Sequence, residues 1–415
     1  MFRKKKKRPN FAITIEIPSQ KDDVQITDTG TINYGDLKIN KQGLQILSKA
    51  IETQTQEFSQ ISPSQKSPQF AVLEEAKNKE KTNKNKNKNK NKNKNKNKNE
   101  KEKNKTENDQ KEIPVLLKDL EVIRQLGSGA GGQVEEVLHV PTQTTFALKT
   151  IKFDTSDLMS KQILNEIRTC FSAKSPYIVG SYSAFFVEGH IHIVLEYMDA
   201  TLADAIKKLG KIPEKIIGKI AFQVLKGLNY LHKQHHLIHR DIKPSNLLLS
   251  RKGICKISDF GVSSQQLDNS LYQAKTWVGT VTYMSPERIQ GFPYSFNSDI
   301  YSLGLTLFEC CTGKYPYSID SKDSPKFQKN QISEMDKPKQ TNTFWDLMNN
   351  IVEKPSPKLD PKKFSKEFCD FIDECLQKDP NSRPTSSDLL LHPFVKKHES
   401  LEKDTTLRNW IKKLK

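Results

Sequence analysis

Apolar positions fall into two regimes along this chain. Between residues 120 and 149 they come in short runs: Leu120 to Leu126 and Gln133 to Val140 flank a glycine-rich stretch, and Phe146-Ala147-Leu148-Lys149 follows, which predicts three successive strands. Ile163, Glu166 and Cys170 then share one face at helical spacing. Beyond residue 200 the helical period dominates. Ile217, Ala221, Val224, Leu228 and Leu231 mark one amphipathic helix, Phe364 to Cys375 another, and Asp299-Ile300-Tyr301-Ser302-Leu303-Gly304 opens a helix that is apolar on nearly all sides and therefore buried. One hairpin interrupts this half: Leu247-Leu248-Leu249 reads as a strand, Ser250-Arg251-Lys252-Gly253 as its turn, and Ile254 to Ile257 as the return. The pattern predicts a small β-rich part followed by a larger, mainly helical one.

The flanks behave differently. Residues 30–46 alternate apolar and polar side chains around turns, which predicts a short strand or partly ordered peptide. Residues 320–343 read as a polar surface loop. From Lys396 onward, Leu401, Leu407, Trp410, Ile411 and Leu414 stand among charges and suggest a final amphipathic helix, placed at residues 397–415.

A formal charge of +18 would suggest nucleic acid as a partner, but its location argues against that. Residues 1–10 contribute +6, and residues 76–111 carry 15 lysines against five acids, so only +2 is left for everything else. The alternating Asn-Lys tract from Asn83 to Asn99 has no apolar face to bury and reads as an extended linker within residues 76–112. No apolar run approaches the roughly 18 residues of a membrane span, and no hydrophobic signal region follows the basic start. Phe2 excludes myristoylation. Six cysteines without C-x-x-C pairing read as small buried hydrophobes in a reducing compartment. The expected location is the cytoplasm, with the nucleus as a second. His232, His235 and His236 read as surface residues and a helix cap rather than zinc ligands.

The chemistry concentrates in His239-Arg240-Asp241-Ile242-Lys243-Pro244-Ser245-Asn246 and, across the hairpin, Asp259-Phe260-Gly261. Folding the hairpin brings Asn246 and Asp259 to its open end. Phosphoryl transfer asks a protein for charge neutralisation and an in-line hydroxyl, so two oxygen ligands for magnesium and a nearby carboxylate, Asp241, suit it. Upstream, Leu126-Gly127-Ser128-Gly129-Ala130-Gly131-Gly132-Gln133-Val134 fits a loop whose backbone amides can approach phosphates. Lys149 is the expected phosphate partner, and the inward-facing Glu166 is the expected partner of Lys149.

These motifs resemble the eukaryotic protein kinases over roughly residues 115 to 396. The resemblance implies an α+β, bilobal fold, with a small β-rich N-lobe at about 115–195 and a larger mainly α-helical C-lobe at about 199–396. It implies ATP and Mg2+ as cofactors; Lys149, Glu166, Asp241, Lys243, Asn246 and Asp259 in catalysis; and Asn246 and Asp259 as metal ligands. It adds Ala147, Leu248 and the segment Glu196 to Met198 to the nucleotide site, with Leu195 as gatekeeper. It also implies an ion pair between Glu287, in Ser285-Pro286-Glu287, and Arg383. Ser175-Pro176-Tyr177-Ile178-Val179-Gly180, Tyr283-Met284-Ser285-Pro286-Glu287-Arg288-Ile289-Gln290-Gly291 and Gly313-Lys314-Tyr315-Pro316-Tyr317 narrow the resemblance to the mitogen-activated protein kinase kinases. Ser258 stands where many relatives carry cysteine. Ser270 and Thr276, with five residues between them, resemble the plant-type activation sites, and Thr280 resembles the threonine that bridges Asp241 and Lys243.

Regulation and partners follow from the same reading. A phosphate on Ser270 or Thr276 would pair with Arg240 and order the loop. The basic cluster Arg3, Lys4, Lys5, Lys6, Lys7, Arg8, followed by Phe11, Ile13 and Ile15, resembles a docking motif for a substrate kinase within residues 1–20. A nuclear-import signal or a solvated charge run explains the lysines equally but not the alternating hydrophobes. Residues 30–46, within an N-terminal extension at 21–75, resemble a segment that precedes the kinase domain in plant and protist relatives. Relatives dock an upstream kinase near the final helix, although simple packing on the large lobe is an equal alternative. The expected partners are a downstream mitogen-activated protein kinase as substrate and an upstream kinase as activator, with threonine and tyrosine as acceptors. Another Ste-type Ser/Thr kinase is the second reading, and a pseudokinase scaffold the third.

Overall fold

The structure, a computed structural model, describes residues 24–46, 114–129, 132–153, 159–259, 281–317, 343–399 and 405–414. Nearly all of these belong to one compact unit formed by residues 1–45 and 115–415. The docking stretch with Arg3 to Arg8, Phe11, Ile13 and Ile15 lies outside the described residues, as do the Asn-Lys tract, Ala130, Gly131, Ser270, Thr276 and Thr280.

The first folded element is larger than the single strand expected. Strands β1 (Gln25–Ile26), β2 (Ile32–Tyr34), β3 (Leu37–Asn40) and β4 (Gly43–Ile46) form a four-stranded meander in chain order. Ile32, Leu37 and Ile39 are fully buried, so their alternation reflects a face that is covered, which a sequence window alone does not reveal.

The small lobe is an antiparallel sheet of β5 (Leu120–Gly129), β6 (Gly132–His139), β7 (Thr144–Lys152), β8 (Ser181–Val187) and β9 (His190–Glu196), ordered β5-β6-β7-β9-β8. β5 runs three residues longer than predicted because the β5–β6 hairpin carries the ladder out to Gly129 opposite Gly132. Gly132, at φ +109, has no room for a Cβ, which would strike the carbonyl oxygen of Thr150 on β7. Both faces of the sheet are apolar. Val137, Phe146, Leu148, Phe185 and Val194 cluster on one, while Ile151, Ala184, Phe186, Ile191 and Ile193 meet helix α1 (Met159–Ser172) and the meander on the other.

Past β9, a short strand β10 (Ala200–Thr201) pairs with the hairpin of β11 (Leu247–Ser250) and β12 (Ile254–Ile257). Helix α2 (Leu202–Leu209) starts in a capping box between Thr201 and Asp204. The large lobe is built on α3 (Glu214–Gln234) and α5 (Asn297–Thr312), with α4 (Pro286–Ile289) just before the latter. Both long helices are covered nearly all round by one apolar core, which accounts for the weak polar stripe of α5. Helices α6 (Thr343–Glu353), α7 (Lys366–Cys375), α8 (Ser386–Leu389), α9 (Pro393–Lys397) and α10 (Thr406–Ile411) complete it. α7 begins two residues later than predicted because Ser365 caps it, accepting from the Phe368 amide. In α10, Leu407, Trp410 and Ile411 are buried in the core, so packing is what the apolar face of the final helix does. Among the described residues no helix is long and apolar enough to cross a membrane.

Candidate active site

A cleft of about 500 Å3 opens between the sheet and the hairpin. Leu126, Val134, Ala147, Leu195, Met198 and Leu248 give it apolar walls, and Gly127, Lys149, Glu196 and Asp259 also line it. Ser128, Gly129, Gly132 and Gln133 continue the β5–β6 hairpin past the cleft. The carboxylate of Glu196 accepts from Lys256 Nζ at 2.6 Å and from the Gly180 amide at 3.1 Å. The Glu196 amide in turn donates to the Gly180 carbonyl at 2.8 Å, so this edge of the cleft is fixed through both side chain and main chain.

Lys149 lies on β7 with its side chain 11% exposed, and its Nζ donates to Asp259 Oδ1 at 2.5 Å. This ion pair with Asp259 adds to the expected influence of Glu166 on the same lysine. Burial works against the lysine's charge, but Asp259 and then Glu166 more than offset it and raise its pKa. In turn the ammonium holds the Asp259 carboxyl below its ordinary value, against the opposing effect of burial. Cys170, one turn after Glu166, shares this environment: burial first, then the charge of Glu166, pushes its thiol up, so it stays protonated. The predicted trio therefore meets at one point, with the Asp259 side chain 44% exposed toward the cleft.

The hairpin delivers the other donor. Leu247 pairs with Ile257, and the amide and hydroxyl of Ser258 both donate to the Asn246 carbonyl, so Asn246 and Asp259 sit at the same end as expected. Asn246 Nδ2 donates to the Asp241 carbonyl and to its Oδ2, each at 2.8 Å, and Lys243 Nζ lies 2.8 Å from that same oxygen. Asp241 is buried to 7% exposure, with a cation and an amide fixing its carboxylate. Among the described residues no group of three or more His, Cys, Asp and Glu forms a metal cage. Asn246 and Asp259 instead supply two oxygen donors, which suits a hard divalent ion that keeps phosphate and water in its other positions.

What holds this loop was only partly legible. Asp299, fully buried at the start of α5, accepts from the amides of His239 and Arg240, each at 2.8 Å, and from His232 Nε2 at 2.9 Å. His232 is thus a buried structural residue at 3% exposure, not the surface histidine expected; its helical position facing α5 decides this. His235 does cap α3. His239 Nε2 donates to the Ser258 carbonyl at 2.9 Å, tying the loop to the strand end beside Asp259. Arg240 and Asp259 adopt φ +71 and +54, left-handed values that side chains disfavour and that these contacts enforce.

Beside the loop sits a pair of cations that sequence reasoning halved. Arg240 and Arg288 lie over the ring of Tyr294 at 5.6 and 5.3 Å, and Arg288 Nη1 donates to the Arg240 carbonyl at 2.6 Å. Burial lowers the pKa of Arg288, and the neighbouring Arg240 adds to this. Among the described residues, the buried Nε of Arg240 has no acceptor. In the sequence, the charge of Arg288 directly after a proline-glutamate pair was the available signal for the second cation. The expected ion pair is present: Arg383 Nη1 and Nη2 reach Glu287 Oε1 and Oε2 at 2.9 and 3.1 Å, both residues buried.

Comparison with known proteins agrees with this geometry. The protein kinase domain family matches residues 120–395, against the 115–396 expected. The chain is 46% identical over 289 residues to mitogen-activated protein kinase kinase 1c of Physcomitrium patens, covering 69% of this chain and 79% of that protein. It is 37% identical over 401 residues to a mitogen-activated protein kinase kinase of Nicotiana tabacum, covering 95% and 93%. Dual specificity mitogen-activated protein kinase kinase 1 of Dictyostelium discoideum is 40% identical over 375 residues, 72% of this chain and 56% of that longer protein.

Proposed function

Because the chain belongs to the protein kinases of the mitogen-activated protein kinase kinase type, we propose that it transfers the γ-phosphate of ATP to threonine and tyrosine in the activation loop of a downstream mitogen-activated protein kinase. The single observation that carries the catalytic part is the placement of Lys149 and Asp259 in one cleft with apolar walls, next to the bonded group of Asn246, Lys243 and Asp241 that Ser258 ties to the same strand end.

The apolar walls take the adenine, and the main chain at Glu196 and Met198 takes its polar edge. Lys149 neutralises phosphate charge, and Asn246 and Asp259 would hold Mg2+, which when bound would add charge neutralisation on the phosphates. Asp241 orients the acceptor hydroxyl and receives its proton as the hydroxyl oxygen bonds to the γ-phosphorus. The bond to the bridging oxygen breaks and ADP leaves. Lys243, 2.8 Å from Asp241, is placed to balance charge on the transferring phosphoryl group.

Activation by phosphorylation at Ser270 and Thr276 is supported by the paired guanidinium groups of Arg240 and Arg288, which make a receptor for a doubly charged phosphate next to the catalytic aspartate. The stretch from Arg3 to Ile15 is proposed to dock the substrate kinase, with an upstream kinase as activator. The test is magnesium-dependent transfer from labelled ATP by the phosphorylated full-length chain to a panel of catalytically dead mitogen-activated protein kinases and to generic peptides. The expected result is labelling of threonine and tyrosine in one or more of the kinases, lost by a factor of roughly 10² or more in Asp241→Asn. Labelling of generic Ser/Thr peptides alone would favour the wider kinase group, and no labelling would end the catalytic reading.

A further inference from the structure

Helix α1 is held from two sides. Glu166 and Arg168 are two residues apart, about 200° around a helix, so when one faces the cleft the other faces away. Glu166 acts on Lys149. Arg168 reaches instead into the N-terminal meander, where its Nη2 lies 2.8 Å from Asp36 Oδ1 and donates to the Tyr34 carbonyl at 3.2 Å. Its guanidinium also lies 5.2 Å from the centre of the Tyr34 ring. Asp36 and Tyr34 are carried by the tight β2–β3 turn, in which Tyr34 pairs with Leu37 and Gly35 takes φ +57.

The apolar contacts run the same way. Ile32, Leu37 and Ile39 of the meander share one buried cluster with Ile163, Leu164 and Ile167 of α1. The Arg168 side of α1 is therefore held by residues that precede the kinase domain by more than eighty positions and lie outside its matched span.

We infer that residues 24–46 are a positioning element for catalysis, with Arg168, Asp36 and Tyr34 as the residues through which they fix α1 and hence Glu166 against Lys149. This rests on the kinase reading above. The meander completes the small lobe, and phosphoryl transfer by the kinase domain depends on it although none of its residues touches nucleotide or acceptor.

The test is a double-mutant cycle in the full-length, phosphorylated chain with Asp36→Asn, Arg168→Gln and the pair. Steady-state kinetics are read beside hydrogen exchange of residues 159–172. Each single variant is expected to lower kcat by roughly threefold to thirtyfold with KM for the protein substrate unchanged, and to speed exchange across α1; the double variant is expected to be no worse than Arg168→Gln, since both remove one contact. Wild-type kcat and exchange in the single variants, or losses that multiply in the double, would overturn the inference. If Arg168→Gln does not fold, Asp36→Asn alone decides, because its side chain is on the turn and keeps its shape. A wild-type chain without transfer activity would instead strike the kinase reading on which the cycle depends.

Discussion

Replacing Asp299 by asparagine tests the support of the catalytic loop with the least change of shape. The carboxylate receives three donors, two on Oδ2 from His232 and His239 and one on Oδ1 from the Arg240 amide. An asparagine has one oxygen and one NH2 group, so if its oxygen keeps the two donors, its NH2 faces the amide of Arg240. One charge-assisted bond is lost, worth about 1.5–3 kcal/mol, and a buried donor is left unmet. A total of about 2–4 kcal/mol follows, and at about 2–4 °C per kcal/mol for a domain of this size the midpoint should fall by roughly 5–15 °C. Because Asp241 directly follows Arg240, kcat should fall as well, by up to about 10² if the carboxylate shifts by an ångström.

The pH dependence adds a second check. Burial alone would raise the Asp299 carboxyl, but the bonds and charge of His232, with His239, hold it below its ordinary value. A depressed folded value means that its stabilisation is complete above the unfolded carboxylate range and is lost as pH falls through the folded value. The gap between wild type and variant, followed by thermal unfolding, should therefore stay constant from neutrality down to about pH 5 and narrow only in stronger acid. An Asp299→Asn protein that melts and turns over like the wild type would refute the reasoning.

Two further outcomes are expected. Arg383→Ala strands Glu287 at 4% exposure and should cost about 3–5 kcal/mol, whereas Glu287→Leu with Arg383→Met should recover much of the loss in a thermal melt, since no charge is left buried. With Ser270 and Thr276 both changed to alanine, activation by an upstream kinase should be suppressed, and Arg288→Gln should weaken the response of the phosphorylated wild-type loop; full activation of either variant in a transfer assay would disconnect the arginine pair from the switch.

Much of the site was legible because the chemistry is local. Asp241, Lys243 and Asn246 lie within six positions, and the hairpin that returns the chain to Asp259 carries its own turn signal. The register of β11 against β12 then follows from apolar matching. The Lys149–Asp259 contact was not legible, because it spans 110 residues and depends on how the two lobes close on the cleft. His232 looked like a surface residue for a related reason: its partner is 67 positions away, on another helix. The meander was underestimated because its alternation is short, and only contact with α1 shows which alternate side chains are covered.

The final helix already spends its hydrophobic side on its own lobe. Leu407, Trp410 and Ile411 are sequestered, and its backbone presses so close to the catalytic hairpin that a Cβ on Gly253 would come within 3.0 Å of the Arg408 amide nitrogen. A visitor seeking those greasy side chains would have to peel the segment away and uncover the bend joining the two strands whose far ends carry Asn246 and Asp259. One that leaves the enzyme intact meets, among the described residues, the exposed Arg408, Asn409, Lys412 and Lys413 beside Thr405, so its grip should be largely ionic and should slacken as salt rises.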